Sequence, residues 1–129
     1  MSAPTFSLED LAAEAERELA ARIPFYPRQV EAGKMTPELA ERQISLMTEI
    51  ARDLRAKAIG DRFRRTYSDR VLLECAEREL RYRRRVYDRA VGNRTMSRKK
   101  ADRLEDLMRA IADHYRAGLA PEPKQESLL

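Results

Sequence analysis

Sliding the chain against itself by 61 positions lays "AEREL" at Ala15–Leu19 onto the same five letters at Ala76–Leu80. The match does not stop there. Thr5, Ser7 and Leu11 fall on Thr66, Ser68 and Leu72, and identities continue through Ala56 and Ala117, giving 21 over residues 5–56 without a gap. Similar charged helices can coincide over a few letters, but not through a cap, a turn and a second helix. The chain is therefore an internal duplication, and whatever one copy folds into the other must fold into as well.

Each copy reads as helix, turn, helix. Ser7 and Ser68 stand where a first helix needs a side-chain acceptor for its free N–H groups, and each follows an aromatic, Phe6 or Tyr67, placed as a hydrophobic staple. Thr36, followed by Pro37, and Ser97 do the same for second helices expected over Pro37–Ala58 and Arg98–Ala117. The turns between are Glu31–Met35 and Gly92–Met96. Apolar residues recur at helical spacing: Ala40, Ile44, Met47, Ala51 and Leu54 against Ala101, Leu104, Met108, Ile111, Ala112 and Tyr115 in the second helices. Leu11, Ala15, Leu19, Tyr26 and Val30 mark the first helix, mirrored by Leu72, Ala76, Leu80, Tyr87 and Val91. The methionines in these stripes read as core filler. Copy one differs in carrying Pro24 and Pro27, which predict a break or kink near Ile23 and a short helical segment after Pro27.

The fold class expected is all-α: two tandem helix-turn-helix hairpins, residues 1–58 and a basic 59–117, forming a four-helix arrangement, with 118–129 a disordered tail. With 43% hydrophobic residues the chain can bury a core, and no apolar run approaches the ~20 residues of a membrane span. The N-terminus lacks the apolar stretch of a secretory signal, and a single cysteine, Cys75, cannot close an internal disulfide. These features predict a soluble cytoplasmic protein. The net charge of +4 is unevenly spread: residues 1–58 hold 8 Lys/Arg against 10 Asp/Glu, whereas residues 62–100 hold 14 against 5. Such a block attracts phosphate, acidic protein surfaces or anionic lipid, unless it is simply a solvated face laced with ion pairs.

Two sets of residues could carry function. Arg22 and Arg83 interrupt the apolar stripes, each one turn after a glutamate, Glu18 or Glu79, and each followed by a tyrosine, Tyr26 or Tyr87. They read either as structural ion pairs or as an Arg/Tyr cluster that grips a phosphate or carboxylate, with Arg28 close by. On the first helix of copy two, Arg78, Arg81, Tyr82, Arg85 and Arg89 fall along one face, with Arg83 and Arg84 in the same run. Guanidinium forks beside an aromatic suit backbone phosphates and stacked bases, and equally an acidic groove on a partner protein. Catalysis is not expected. The one histidine, His114, falls on Asp53 in the other copy, and Cys75 falls on Glu14 with no evident base. No metal-ligand spacing or phosphate loop occurs, so neither cofactor nor metal is expected.

The stretch "AERELRYRRRVYDRAVGNRTMSRKKADRLEDLMRAIADHYRA" resembles a short helical unit of uncharacterised phage and prophage proteins. Its pattern joins an Arg-rich start to Val-Tyr-Pro-Arg, a Gly-Lys-Met-Thr turn and a Met-containing helix. Copy one, "YPRQVEAGKMTPELAERQISLMTEIARDL", matches the later half, and copy two lacks the proline and the Gly-Lys turn. The resemblance implies a phage-associated helical hairpin and no particular activity. The closing Gln125-Glu126-Ser127-Leu128-Leu129 resembles the peptide by which bacterial replication and repair proteins dock on the DNA sliding clamp. Gln125, Leu128 and Leu129 would be its anchors, beside the alternative of an uninvolved tail.

Together these features lead to the expectation of a small non-enzymatic binding protein. It would engage nucleic acid or a nucleoprotein complex through the Arg/Tyr-rich helix, with a sliding clamp as a further partner and no membrane. The alternative is a protein-directed inhibitor or adaptor of a host machine, a host defence protein such as a CRISPR effector among them. A homodimer is a third option.

Overall fold

Every helix starts at the hydroxyl the sequence marks. Ser7 accepts from the Asp10 amide at 3.0 Å while the Asp10 carboxylate accepts from the Ser7 amide at 3.1 Å, a closed capping box. Thr36, Ser68 and Ser97 each cap singly, accepting from Leu39, Val71 and Lys100. Each such cap contributes about 1 kcal/mol of helix stability. The computed structural model describes residues 5–119, which form α1 (Leu8–Glu31), α2 (Pro37–Ala58), α3 (Asp69–Gly92) and α4 (Arg98–Ala117). The expected tail beyond residue 119, with Gln125, Leu128 and Leu129, lies outside the described residues.

The break expected at the prolines does not occur. α1 is helical through Pro24 and Pro27 to Glu31. Proline removes the hydrogen bonds to the carbonyls of Ala20 and Ile23, and both of those residues are exposed, so water satisfies what the ladder loses. The prolines themselves are also exposed.

The two hairpin turns share one geometry despite different residues. Gly33 has φ 72° and Arg94, at the matching position, has φ 66°. Directly after them the amides of Lys34 and Thr95 each reach back five residues, to the carbonyls of Gln29 and Ala90 at 2.9 Å. In the second turn the Asn93 side chain accepts from the Thr95 amide and hydroxyl.

α1 packs on α2 and α3 on α4; α1 against α4 and α2 against α3 then join the hairpins. The register repeats at 61 residues. Met47, Ile50 and Leu54 of α2 and Met108, Ile111 and Tyr115 of α4 are completely buried, closed over by Leu11, Ala15, Leu72 and Ala76. Phe6 and Tyr67, the staple residues, pack on this core from outside. The connection from Ile59 to Ser68 is pinned by Glu49, whose carboxylate accepts from the amides of Thr66 and Tyr67 at 2.9 and 2.6 Å. No helix is long and apolar enough to cross a membrane among the described residues.

Candidate anion-binding groove

The arginines that interrupt the apolar stripes meet on the approximate two-fold axis relating the hairpins. Arg22 donates from Nε to Glu18 at 2.8 Å and from Nη2 to Glu79 at 3.0 Å. Arg83 mirrors it, with Nε to Glu79 at 2.9 Å and Nη2 to Glu18 at 2.9 Å. The remaining Nη1 of each donates to a main-chain carbonyl, Gln43 or Leu104, again 61 residues apart. Four charges thus close a ring with its hydrogen bonds satisfied, which is what makes burial of ions tolerable. Arg22 and Arg83 are 1% and 0% exposed.

Burial alone works against ionising Glu18, yet the flanking guanidiniums of Arg22 and Arg83 outweigh it and hold its carboxyl below the ordinary range. Burial, together with the charge of Glu18, pushes Glu79 up. Tyr26 and Tyr87 lie under the guanidiniums of Arg22 and Arg83, at 5.3 and 5.9 Å from ring centroid to charge.

Beside the ring opens a groove of about 790 Å³ between α1, the first turn, the start of α2, and α3. One wall is apolar, made by Phe25 and Leu39 with Met35. The other carries Arg78, Arg81, Tyr82 and Arg85 from α3, and Lys34 sits at the turn end. Phe25, Leu39 and Tyr82 are three of the large apolar or aromatic side chains left exposed. The guanidinium of Arg85 stacks over the Tyr82 ring at 5.8 Å. None of Arg78, Arg81, Arg85 and Lys34 forms an ion pair among the described residues, although α1 and α2 are rich in carboxylates that pair elsewhere.

The duplication gives this groove an internal control. On the opposite face the two-fold replaces Arg81, Tyr82 and Arg85 by Ala20, Ala21 and Pro24, and Phe25 and Leu39 by Val86 and Lys100. There Arg17 stands for Arg78 and is neutralised by Glu14 at 2.6 Å. The row Arg81, Tyr82 and Arg85 and the ring of Phe25 belong to one face only.

Of the residues singled out from sequence, Arg22, Tyr26, Arg78, Arg81, Tyr82, Arg85 and Tyr87 line this one groove. Arg22 and Arg83 are occupied in the buried ring, so the pairing suggested by Glu18 and Glu79 is structural, with a second set of bonds across the hairpins. Arg28, Arg84 and Arg89 are exposed outside the groove. Phe25, Leu39 and Lys34 complete the groove but were not anticipated. Their pattern is that of any amphipathic hairpin until the packing of α3 is known.

At the other end of the axis a second polar cluster forms. Asp53 accepts from the Tyr115 hydroxyl at 2.8 Å and from Lys57 at 2.9 Å, and Lys57 lies 3.0 Å from Nε2 of His114. Burial and the Lys57 charge hold the histidine below its usual pKa. The alignment of His114 with Asp53 thus marks a shared place near the axis. Burial pushes the Cys75 thiol up, against the pull of Arg22, and its contact is with Gln43 Oε1 at 3.8 Å. Among the described residues no cluster of three His, Cys, Asp or Glu side chains is arranged to hold a metal ion. No family model matches the chain, and no curated protein and no solved structure is similar to it.

Proposed function

We propose that this is a non-enzymatic binding protein that holds single-stranded nucleic acid, free or within a nucleoprotein complex, in the groove between α1 and α3. The observation that carries the reading is the row Arg78, Arg81 and Arg85 with Lys34, unpaired among the described residues around the exposed rings of Phe25 and Tyr82. A charged groove that tracks the backbone, with aromatics on which bases stack, is the recurring design for single strands. Arg84, Arg89 and Arg28 would extend the positive field around its rim. The resemblance of the repeat to phage helical units attaches this role to a phage or mobile-element setting.

A second reading, a protein-directed inhibitor or adaptor, rests on the aliphatic part of the wall. Leu39 and Met35 suit an apolar anchor on an acidic partner better than they suit a base. Fluorescence anisotropy with labelled single- and double-stranded oligonucleotides separates the two. The expected result is a preference for single strands whose affinity falls steeply with salt and is lost when Arg81 and Arg85 are changed to Ala. Absence of binding at low salt would remove nucleic acid and leave the protein-directed reading.

A further inference from the structure

One of the buried positions at which the copies differ in charge lies beside the basic row of α3. In copy one Glu14 is nearly inaccessible, and its carboxylate accepts from Arg17 at 2.8 and 2.6 Å and lies 2.7 Å from Nη1 of Arg83. The two-fold carries Glu14 onto Cys75, Arg17 onto Arg78 and Arg83 onto Arg22. Copy two therefore keeps both cations and lacks the carboxylate: Arg22 is sealed in the ring, with Gln43 Oε1 3.8 Å from Cys75 Sγ, and Arg78 is left without an ion pair among the described residues. Beside Cys75 is a hollow of about 340 Å³, lined by Gln43, Arg42, Arg78 and Arg81 and sharing the last two with the main groove. Glu74 is the one acid on its wall. Copy one thus displays, within the same molecule, how the arginine at the Arg78 position holds an oxyanion, Arg17 gripping Glu14 through two bonds.

We infer that the hollow beside Cys75 is a phosphate subsite, taking one backbone phosphate of the strand against Arg78, whose counterpart in copy one is paired with Glu14. The inference rests on the groove reading above and adds to it a position and a cause: loss of the glutamate freed Arg78 for a ligand. Arg78 and Arg81 face both hollows, so a strand lying over Tyr82 and Phe25 would continue past them toward Arg42. Cys75 would matter only by being small and uncharged.

The test restores the carboxylate. Oligonucleotide affinity and its salt dependence are measured by anisotropy for the wild type, Cys75→Ala, Cys75→Glu, Arg78→Gln and the double variant Cys75→Glu/Arg78→Gln, with a thermal melt of each. Cys75→Ala is expected to bind within twofold of wild type. Cys75→Glu and Arg78→Gln should each lose about tenfold and flatten the salt slope by about 0.7, the value for one single-strand phosphate. The double variant should be no weaker than Cys75→Glu, because in both the same contact is gone. A folded Cys75→Glu that binds like Cys75→Ala overturns the subsite, and so does a double variant whose losses add. If Cys75→Glu does not melt cooperatively, the salt slope of Arg42→Gln decides, because Arg42 lines this hollow and not the main groove: an unchanged slope overturns the subsite and a flatter one supports it. A wild type that binds no oligonucleotide removes the groove reading itself, and this inference with it. Binding of an oligo-glutamate peptide in place of the oligonucleotide overturns the phosphate assignment.

Discussion

His114 is the only histidine of the chain, and its surroundings fix the sign of its effect. Lys57 faces it at 3.0 Å, Arg65 adds positive charge from the connection, and Asp53 and Asp69 offset them in part. Burial and Lys57 prevail, so protonation is harder in the fold than in the unfolded chain, whose histidine titrates near 6.5. Between the lowered folded value and 6.5 the unfolded state binds more protons, and stability falls as pH falls through that window. Above it the contribution is fully present. The melting temperature of wild type should therefore decline from about pH 7.5 to pH 5.5, and that of His114→Gln should decline less. Parallel curves for the two proteins would mean that other groups govern the acid limb. At this scale the sequence was informative about pairs within one helix, such as Glu18 with Arg22, because i,i+4 spacing is geometry. It was silent on Arg22 with Glu79, which depends on how the hairpins are laid together, although matching Glu and Arg on both apolar stripes was a sign of it.

Arg94 shows what the duplication implies for an element. The turn after α3 needs a left-handed residue at the place where the turn after α1 has Gly33. A side chain in that region costs about 1 kcal/mol or more, and glycine removes the cost. Nothing crowds the matching position, since a Cβ added to Gly33 would meet no atom within 4 Å. Arg94→Gly is accordingly expected to stabilise the protein by about 1 kcal/mol, seen as a higher urea midpoint at unchanged slope. Gly33→Arg should lose a similar amount. An Arg94→Gly midpoint equal to that of wild type would show that the Asn93–Thr95 bonds already relieve the strain in the second turn. Elements were the most legible level. The hydroxyl caps and the apolar period placed α2 and α4 at the ends observed, because caps and period act locally. The prolines of α1 misled for an equally local reason: proline is costly where the orphaned carbonyl is buried, and Ala20 and Ile23 open to water. The basic row of α3 was readable as a face, but not the apolar wall opposite it, since no local rule says which surfaces two hairpins bring together.

The buried ring bears on the molecule as a whole, because its four members are shared equally between hairpins and neither half can close it alone. Cut after Gly60, the first half would keep the bonds of Arg22 to Glu18 and to the Gln43 carbonyl but lose the one to Glu79, and would expose Met47, Ile50 and Leu54, which are completely buried in the intact chain. Leaving a buried charge without a partner costs about 3–5 kcal/mol, a large part of the stability available to so short a chain. A single hairpin should therefore not fold as a monomer. Two copies of it, however, can rebuild the ring: Arg22 of each meets its own Glu18 and the other's, the arrangement a two-fold interface requires. The first half alone is thus expected to be helical only at concentrations that dimerise it, with a melting temperature that climbs with concentration and a sedimenting mass twice that of the chain. Arg22→Met in this fragment should abolish both. A monomer that melts cooperatively at a concentration-independent temperature would show that each hairpin carries its own core and that the ring is an addition to two finished units. The opposite outcome would make the tandem chain a fused dimer. Its second half, relieved of the symmetry, could then acquire Arg81, Tyr82 and Arg85 on one face while Ala20, Ala21 and Pro24 stayed on the other.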